Sequence, residues 1–119
     1  MESKFNRLFW LAWCSNFDLE KFNDNFFEYL LKEFGLFTTK TYKHNINNDT
    51  IPTYSQSFIL ENGQFSFSIK PESKWCSISL IIPYNEDFDI IKFKNDIKIG
   101  LNAEKIEDTL ELTYIRKNI

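Results

Sequence analysis

Two stretches of this chain share one amphipathic rhythm, and that repetition constrains the fold more than any other feature. NFDLEKFNDNF (16–26) aligns with DFDIIKFKNDI (87–97), where Phe17, Asp18, Lys21 and Phe22 match Phe88, Asp89, Lys92 and Phe93. Leu19, Phe26 and Leu30 fall opposite Ile90, Ile97 and Leu101, so apolar residues at 19/22/26/30 and 90/93/97/101 keep the spacing of one helix face. Each copy is preceded by an apolar, strand-like run, RLFWLAWC at 7–14 and WCSISLIIP at Trp75–Pro83. Each therefore reads as strand, short turn, helix: 7–14 into a helix over about 18–34, and Trp75–Pro83 into a helix over about 87–99. Alternation of Ile91, Phe93, Ile97 and Ile99 with lysines would also suit a hairpin over 88–101, and the repeat decides for the helix. Asp or Asn ahead of each helix can cap its free amides, and Gly35 and Gly100 fit a left-handed stop.

Strand signals fill the space between the copies. Residues 37–44 are rich in Thr and Tyr, and NINNDTIP (45–52) reads as a loop. Residues 54–60 and Gln64–Lys70 flank Glu61, Asn62 and Gly63, where Asn-Gly is a strong hairpin signal. Phe65, Phe67 and Ile69 alternate with Ser66 and Ser68, giving one buried and one wet face. Residues 109–116 alternate again, Leu110, Leu112 and Tyr114 against Thr109, Glu111 and Thr113. The order is β-α-β-β-β-β-α-β, an α+β chain with a mainly antiparallel sheet and two helices on one face. It resembles a ferredoxin-like split β-α-β pair with an extra hairpin between its halves. At 119 residues, one domain spanning 1–119 is expected.

The chemistry-bearing residues are few. Cys14 and Cys76 each lie in an apolar run and read as buried thiols, able to form a disulfide only if their segments are neighbours and the compartment is oxidising. Two distant cysteines and one histidine cannot supply a zinc site, so no metal and no cofactor is expected. The three glycines, 35, 63 and 100, are scattered, which removes a phosphate-cradling loop. His44 could pair with Asp49, yet no serine or cysteine elbow accompanies it, so it reads as a solvent-exposed residue with no catalytic part. Lys4 and Arg7 before a short apolar run mimic a signal peptide, but the run meets Asp18 and Glu20 without a cleavage site. No apolar run reaches the ~18 residues of a membrane span. A cytoplasmic protein is expected. The bias towards Phe, Ile, Asn and Lys, with no Val, suits an AT-rich bacterial or mobile-element gene.

Charge and aromatic content supply the positive signs. The net charge is −3, with five acids against two lysines over 17–34 and eight against four over 84–111. Acidic helical surfaces suit a basic partner steered in by charge. Trp and Tyr are favoured interface anchors, and with only two helices one sheet face lacks an evident cover over Trp13, Trp75 and Tyr42. A loop, a second copy of the chain or another protein could supply it. The reading that follows is a non-enzymatic protein-binding module. Small acidic domains of this kind resemble bacterial immunity proteins and mobile-element inhibitors, a likeness of size and charge that implies occlusion of a basic effector such as a nuclease toxin. The candidate contacts are Trp13 and Tyr84 as anchors, with Glu86, Asp87 and Asp89, or Glu104, Glu107 and Asp108, as the acidic groups.

Two rivals accompany this reading. An RRM-like binder of single-stranded nucleic acid would need Phe65 and Phe67 exposed among lysines, although Gln64 stands where that family has glycine and the pI near 5.2 opposes phosphate binding. A small enzyme or ligand-binding domain would need a polar cavity holding His44 or converging carboxylates.

Overall fold

The computed structural model describes residues 6–21, 24–47, 52–70 and 75–114. Strand β1 (Arg7–Ser15) leads through a single 3-10 turn (Leu19–Lys21) into helix α1 (Asp24–Glu33). Strands β2 (Thr38–Asn47), β3 (Pro52–Leu60), β4 (Gln64–Lys70) and β5 (Trp75–Pro83) follow, then helix α2 (Ile90–Gly100) and strand β6 (Lys105–Tyr114). One six-stranded sheet has the order β2-β3-β4-β5-β1-β6, with every pairing antiparallel. This is the expected α+β arrangement with its extra hairpin. The β5-α2-β6 unit straddles β1, and β1-α1-β2 crosses three strands instead of one. The stretch expected as a loop over 45–52 contributes residues 45–47 to β2 and 52 to β3. Asp49 lies outside the described residues, as does the end of the strand expected to run to Arg116.

Both helices cover one face, and strand alternation sorts residues accordingly. Leu8, Trp10, Ala12 and Cys14 of β1 point inward, as do Cys76, Ile78, Leu80 and Ile82 of β5. Phe27 of α1 stacks on Phe67 with ring centroids 4.7 Å apart and meets Phe65 at 5.6 Å. Phe93 of α2 meets Phe65 at 6.0 Å, Trp10 at 6.0 Å and Phe34 at 5.0 Å. Burying each such ring stabilises by roughly 1.5–3 kcal/mol, with edge-to-face contacts adding to it. Cys14 and Cys76 are direct partners across β1 and β5, both fully buried as free thiols. Their mutual hydrogen bond, together with burial, pushes the Cys76 thiol up.

The two copies of the repeat diverge where their helices begin. The Asp18 N–H donates to the Leu101 carbonyl at 2.9 Å, which ties the first copy to the end of the second copy's helix. The Asp18 carboxylate then accepts from the Glu20 amide at 3.1 Å, and its carbonyl accepts from Lys21 N–H at 3.0 Å. Those contacts close a tight turn, so α1 starts at Asp24 and not at Asp18. Its buried stripe is Phe27, Leu30 and Leu31, with Phe26 half-buried, one residue round from the expected 19/22/26/30 face. The second copy keeps its expected face, with Phe93, Ile97 and Leu101 buried.

The glycine stops also divide. Gly35 has φ of 74° and ends α1 as expected, whereas Asn102, at 49°, takes the left-handed position after α2. Gly100 is required for a different reason: a Cβ there would lie 2.2 Å from the Phe26 ring, where the helices touch.

Candidate functional site

Two regions of the described surface collect residues that packing does not consume. The first is a cleft of about 220 Å³ at one end of the sheet, between the α1–β2 connection, the β3–β4 turn and the β5–α2 connection. Phe37, Glu61, Tyr84, Asn85 and Phe88 line it. Phe37 is 52% exposed, while Tyr84 is half-buried. The Tyr84 amide donates to the Asn6 carbonyl at 3.1 Å, and Asn85 organises the next turn. Its side-chain oxygen accepts from Asp87 N–H at 2.9 Å and its carbonyl from Phe88 N–H at 3.0 Å. That ordered turn presents Glu86 and Asp87 to solvent between two cleft-lining residues. Across the cleft, Gly63 lets the β3–β4 turn press against β5, since a Cβ there would lie 2.1 Å from the Ile81 carbonyl oxygen. Glu61, exposed, therefore sits at the same rim.

The structure thus brings Tyr84, Glu86 and Asp87 together and adds Phe37 and Glu61, which sequence reasoning missed. An exposed Phe immediately after a helix stop, and a Glu leading an Asn-Gly turn, were the available signals. Asp89 lies beside the group, but its carboxylate caps α2 by accepting from Lys92 N–H at 3.0 Å.

The remaining acids lie elsewhere. Glu104 follows the far end of α2, roughly 16 Å away along an eleven-residue helix. It accepts from the Asn16 side chain, and Glu107 pairs with Lys105. Asp108 accepts from the Trp10 indole N–H at 2.8 Å and from Lys94 at 2.7 Å, and Lys94 also pairs with Glu111. Burial works against the Asp108 charge, but the Lys94 and Trp10 hydrogen bonds outweigh it and hold the carboxyl below its ordinary range. That cluster fastens the end strand β6 to α2.

The second region is the sheet face away from the helices. Trp13 is half-buried there, with Phe9, Leu11, Trp75, Ile81, Leu110, Leu112 and Tyr114 on the same side. Thr109 is the extra residue of a bulge opposite Leu11 and Ala12, which turns Leu110 and Leu112 outward and Asp108 inward. Phe65 and Phe67 are on the opposite side, buried against the helices, so the stacking platform expected of the RRM-like rival is absent from this strand. His44 is exposed on β2, away from the cleft. Among the described residues no group of three His, Cys, Asp or Glu is placed to hold a metal ion, and no helix is long and apolar enough to cross a membrane.

No family model and no curated protein matches the chain. Among solved structures it is similar to the crystal structure of the adenosylmethionine decarboxylase from Aquifex aeolicus VF5. That likeness has a TM-score of 0.71 at 15% identity and covers 98% of this chain and 95% of that one. At that identity the likeness establishes the shared fold: one antiparallel sheet backed by two helices.

Proposed function

We propose that this chain is a non-enzymatic protein-binding module, an acidic inhibitor or immunity protein of the bacterial cytoplasm that neutralises a basic effector such as a nuclease toxin. The observation that carries the reading is the end cleft, where Tyr84 and the exposed Phe37 stand beside Glu61, Glu86 and Asp87. Acids on an ordered turn steer a basic partner in, and a ring pair in a concave site supplies the desolvated anchor that most interface energy comes from. In this reading a partner side chain seats in the cleft against Tyr84 and Phe37 while the carboxylates meet the partner's Lys and Arg. Asp89 contributes field more than contact, because its oxygen is committed to α2.

The test is capture from native-host lysate, with and without nuclease treatment, read by intact-complex mass spectrometry. A stoichiometric basic protein that binds the wild type and is lost with Glu61→Lys, Glu86→Lys and Asp87→Lys combined bears the reading out, and purified partner then enters an inhibition assay. Equal capture by the triple variant would overturn the cleft as the site.

A second reading, a small enzyme or ligand-binding domain, draws on the name of the like-folded structure. Release of carbon dioxide from adenosylmethionine by the purified chain would establish it. The binding-module reading expects none.

A further inference from the structure

The helix-free face of the sheet is built in two unlike halves. Reading across from β2 to β6, one row runs Tyr42, Ser57, Ser66, Ser79, Leu11, Leu110. The next runs His44, Ser55, Ser68, Ser77, Trp13, Glu107, and the one on the other side runs Lys40, Ile59, Gln64, Ile81, Phe9, Leu112. In the first two rows the β3-β4-β5 middle is therefore a shallow serine trough, which Ile59, Gln64 and Ile81 close at the third, and β1 with β6 forms a largely apolar ridge. Leu11 is 41% exposed, Leu110 44% and Leu112 51%. The charged groups of the two edge strands that share this face are Lys40 of β2, alongside His44, and the Lys105–Glu107 pair of β6. Lys43 of β2 and Asp108 and Glu111 of β6 lie on the helix side.

We infer that this face binds a second copy of the chain, sheet against sheet, about a two-fold axis that runs along the strands between β4 and β5. Such an axis keeps each row in place and reverses its order. Leu11 and Trp13 then lie over the partner's Ser57 and Ser55, so ridge fills trough twice, and Phe9 packs on the partner's Ile59. β2 lies over the partner's β6, where the His44 imidazole N–H donates to the partner's Glu107. The area is sufficient. Six strands at ~4.8 Å spacing and three rows ~7 Å apart give roughly 600 Å² per copy, the lower end of the ~600–1,000 Å² per partner of a standard interface. The arrangement also has the anatomy of an interface, with the charged side chains Arg7, Lys40, Lys70, Lys105 and Glu107 at the margin of an uncharged centre.

Sedimentation equilibrium over a wide concentration range tests the inference, with circular dichroism confirming that each variant folds. The wild type is expected to dimerise, and Leu11→Arg to weaken the dimer by about 100-fold, as for a central apolar anchor. His44→Glu weakens it about 10-fold, and adding Glu107→His to that variant restores it. Mixed Leu11→Cys and Ser57→Cys chains cross-link with a short bismaleimide, because facing sheets lie ~10 Å apart, beyond the reach of a disulfide, whereas Leu11→Cys alone does not. A wild type that stays monomeric throughout, a dimer indifferent to Leu11→Arg, or stoichiometric nucleic acid bound to this face would overturn the proposal. Dimerisation without the His44–Glu107 rescue and without the mixed cross-link would overturn the axis.

Discussion

The two faces of the sheet are made by the same strands and answer to different demands. On β4, Phe65, Phe67 and Ile69 are at most 6% exposed beneath the helices, while Ser66 and Ser68 between them look the other way. On β5 the inward Cys76, Ile78, Leu80 and Ile82 alternate with Ser77, Ser79 and the 36%-exposed Ile81. The inward set interlocks as a ring cluster in which each side chain touches several others. The outward set is small and hydroxylated over most of the middle, Ile59 and Ile81 excepted, and large and apolar on β1 and β6. Ordinary solvation accounts for the serines, but not for Leu11, Leu110, Leu112 and Trp13 side by side. A core-facing residue is selected by shape within one molecule, and this outer ridge is selected by something it meets.

That contrast is broken most sharply inside the core. Phe65→Ala removes a fully buried ring held by Phe27 and Phe93 and is expected to cost about 3–5 kcal/mol. Ser68→Ala, three residues along and on the outer face, is expected to stay within about 0.5 kcal/mol. Urea denaturation of the pair measures both, and equal losses would erase the distinction between faces. Gly63→Ala comes next. The new Cβ meets backbone rather than a movable side chain, so about 1–3 kcal/mol of overpacking strain is expected, with the end cleft distorted as well. Partner capture by Gly63→Ala should therefore fall further than its stability predicts.

Smaller effects mark how the helices are fastened. Asp89→Ala deletes the α2 cap and should cost about 1 kcal/mol, with Asp89→Asn close to wild type, in the same denaturation assay. The Asp108–Lys94 pair gives a pH signature at each end. Asp108 titrates below its ordinary 3.8, so its contribution is full above that value and disappears as pH falls through the depressed one. Lys94 is opposed by burial, yet its bonds to Asp108 and Glu111 raise it above 10.5, so its contribution is full below 10.5 and disappears as pH rises through the raised value. Thermal melts of Asp108→Asn against wild type should converge at both extremes and differ most between them. A constant difference at every pH would show that the pair does not fasten β6.

Element types and order were legible because alternation in Gln64–Lys70 and the helical stripe over 90–101 are local signals that the tertiary fold reinforces. The start of α1 was not. It depends on Asp18 bonding to Leu101, a contact between residues remote in sequence that periodicity cannot register. Gly100 was read as a conformational stop because its partner, Phe26, lies on another helix. The candidate site was half legible for the same reason. Tyr84, Glu86 and Asp87 are neighbours in sequence, but Phe37 and Glu61 join them only through the closed sheet, and Asp108 is claimed by Lys94 fourteen residues earlier.

The finest comparison between the faces lies in how a substitution's cost depends on protein concentration. Leu11→Ser removes an apolar side chain that the monomer leaves 41% exposed, so in dilute solution it should change stability by less than about 0.5 kcal/mol. If two copies share this face, association adds free energy to the wild type that grows with concentration. The gap between wild type and Leu11→Ser should then widen as the sample is concentrated. Phe65→Ala acts within one chain and leaves the outer face intact, so its deficit should hold steady over the same range. Melting temperatures of the three proteins across a dilution series separate these cases. Parallel curves for wild type and Leu11→Ser would mean that the ridge is covered by no second copy, and a concentration-dependent gap for Phe65→Ala would mean that inner packing and outer assembly are one cooperative unit.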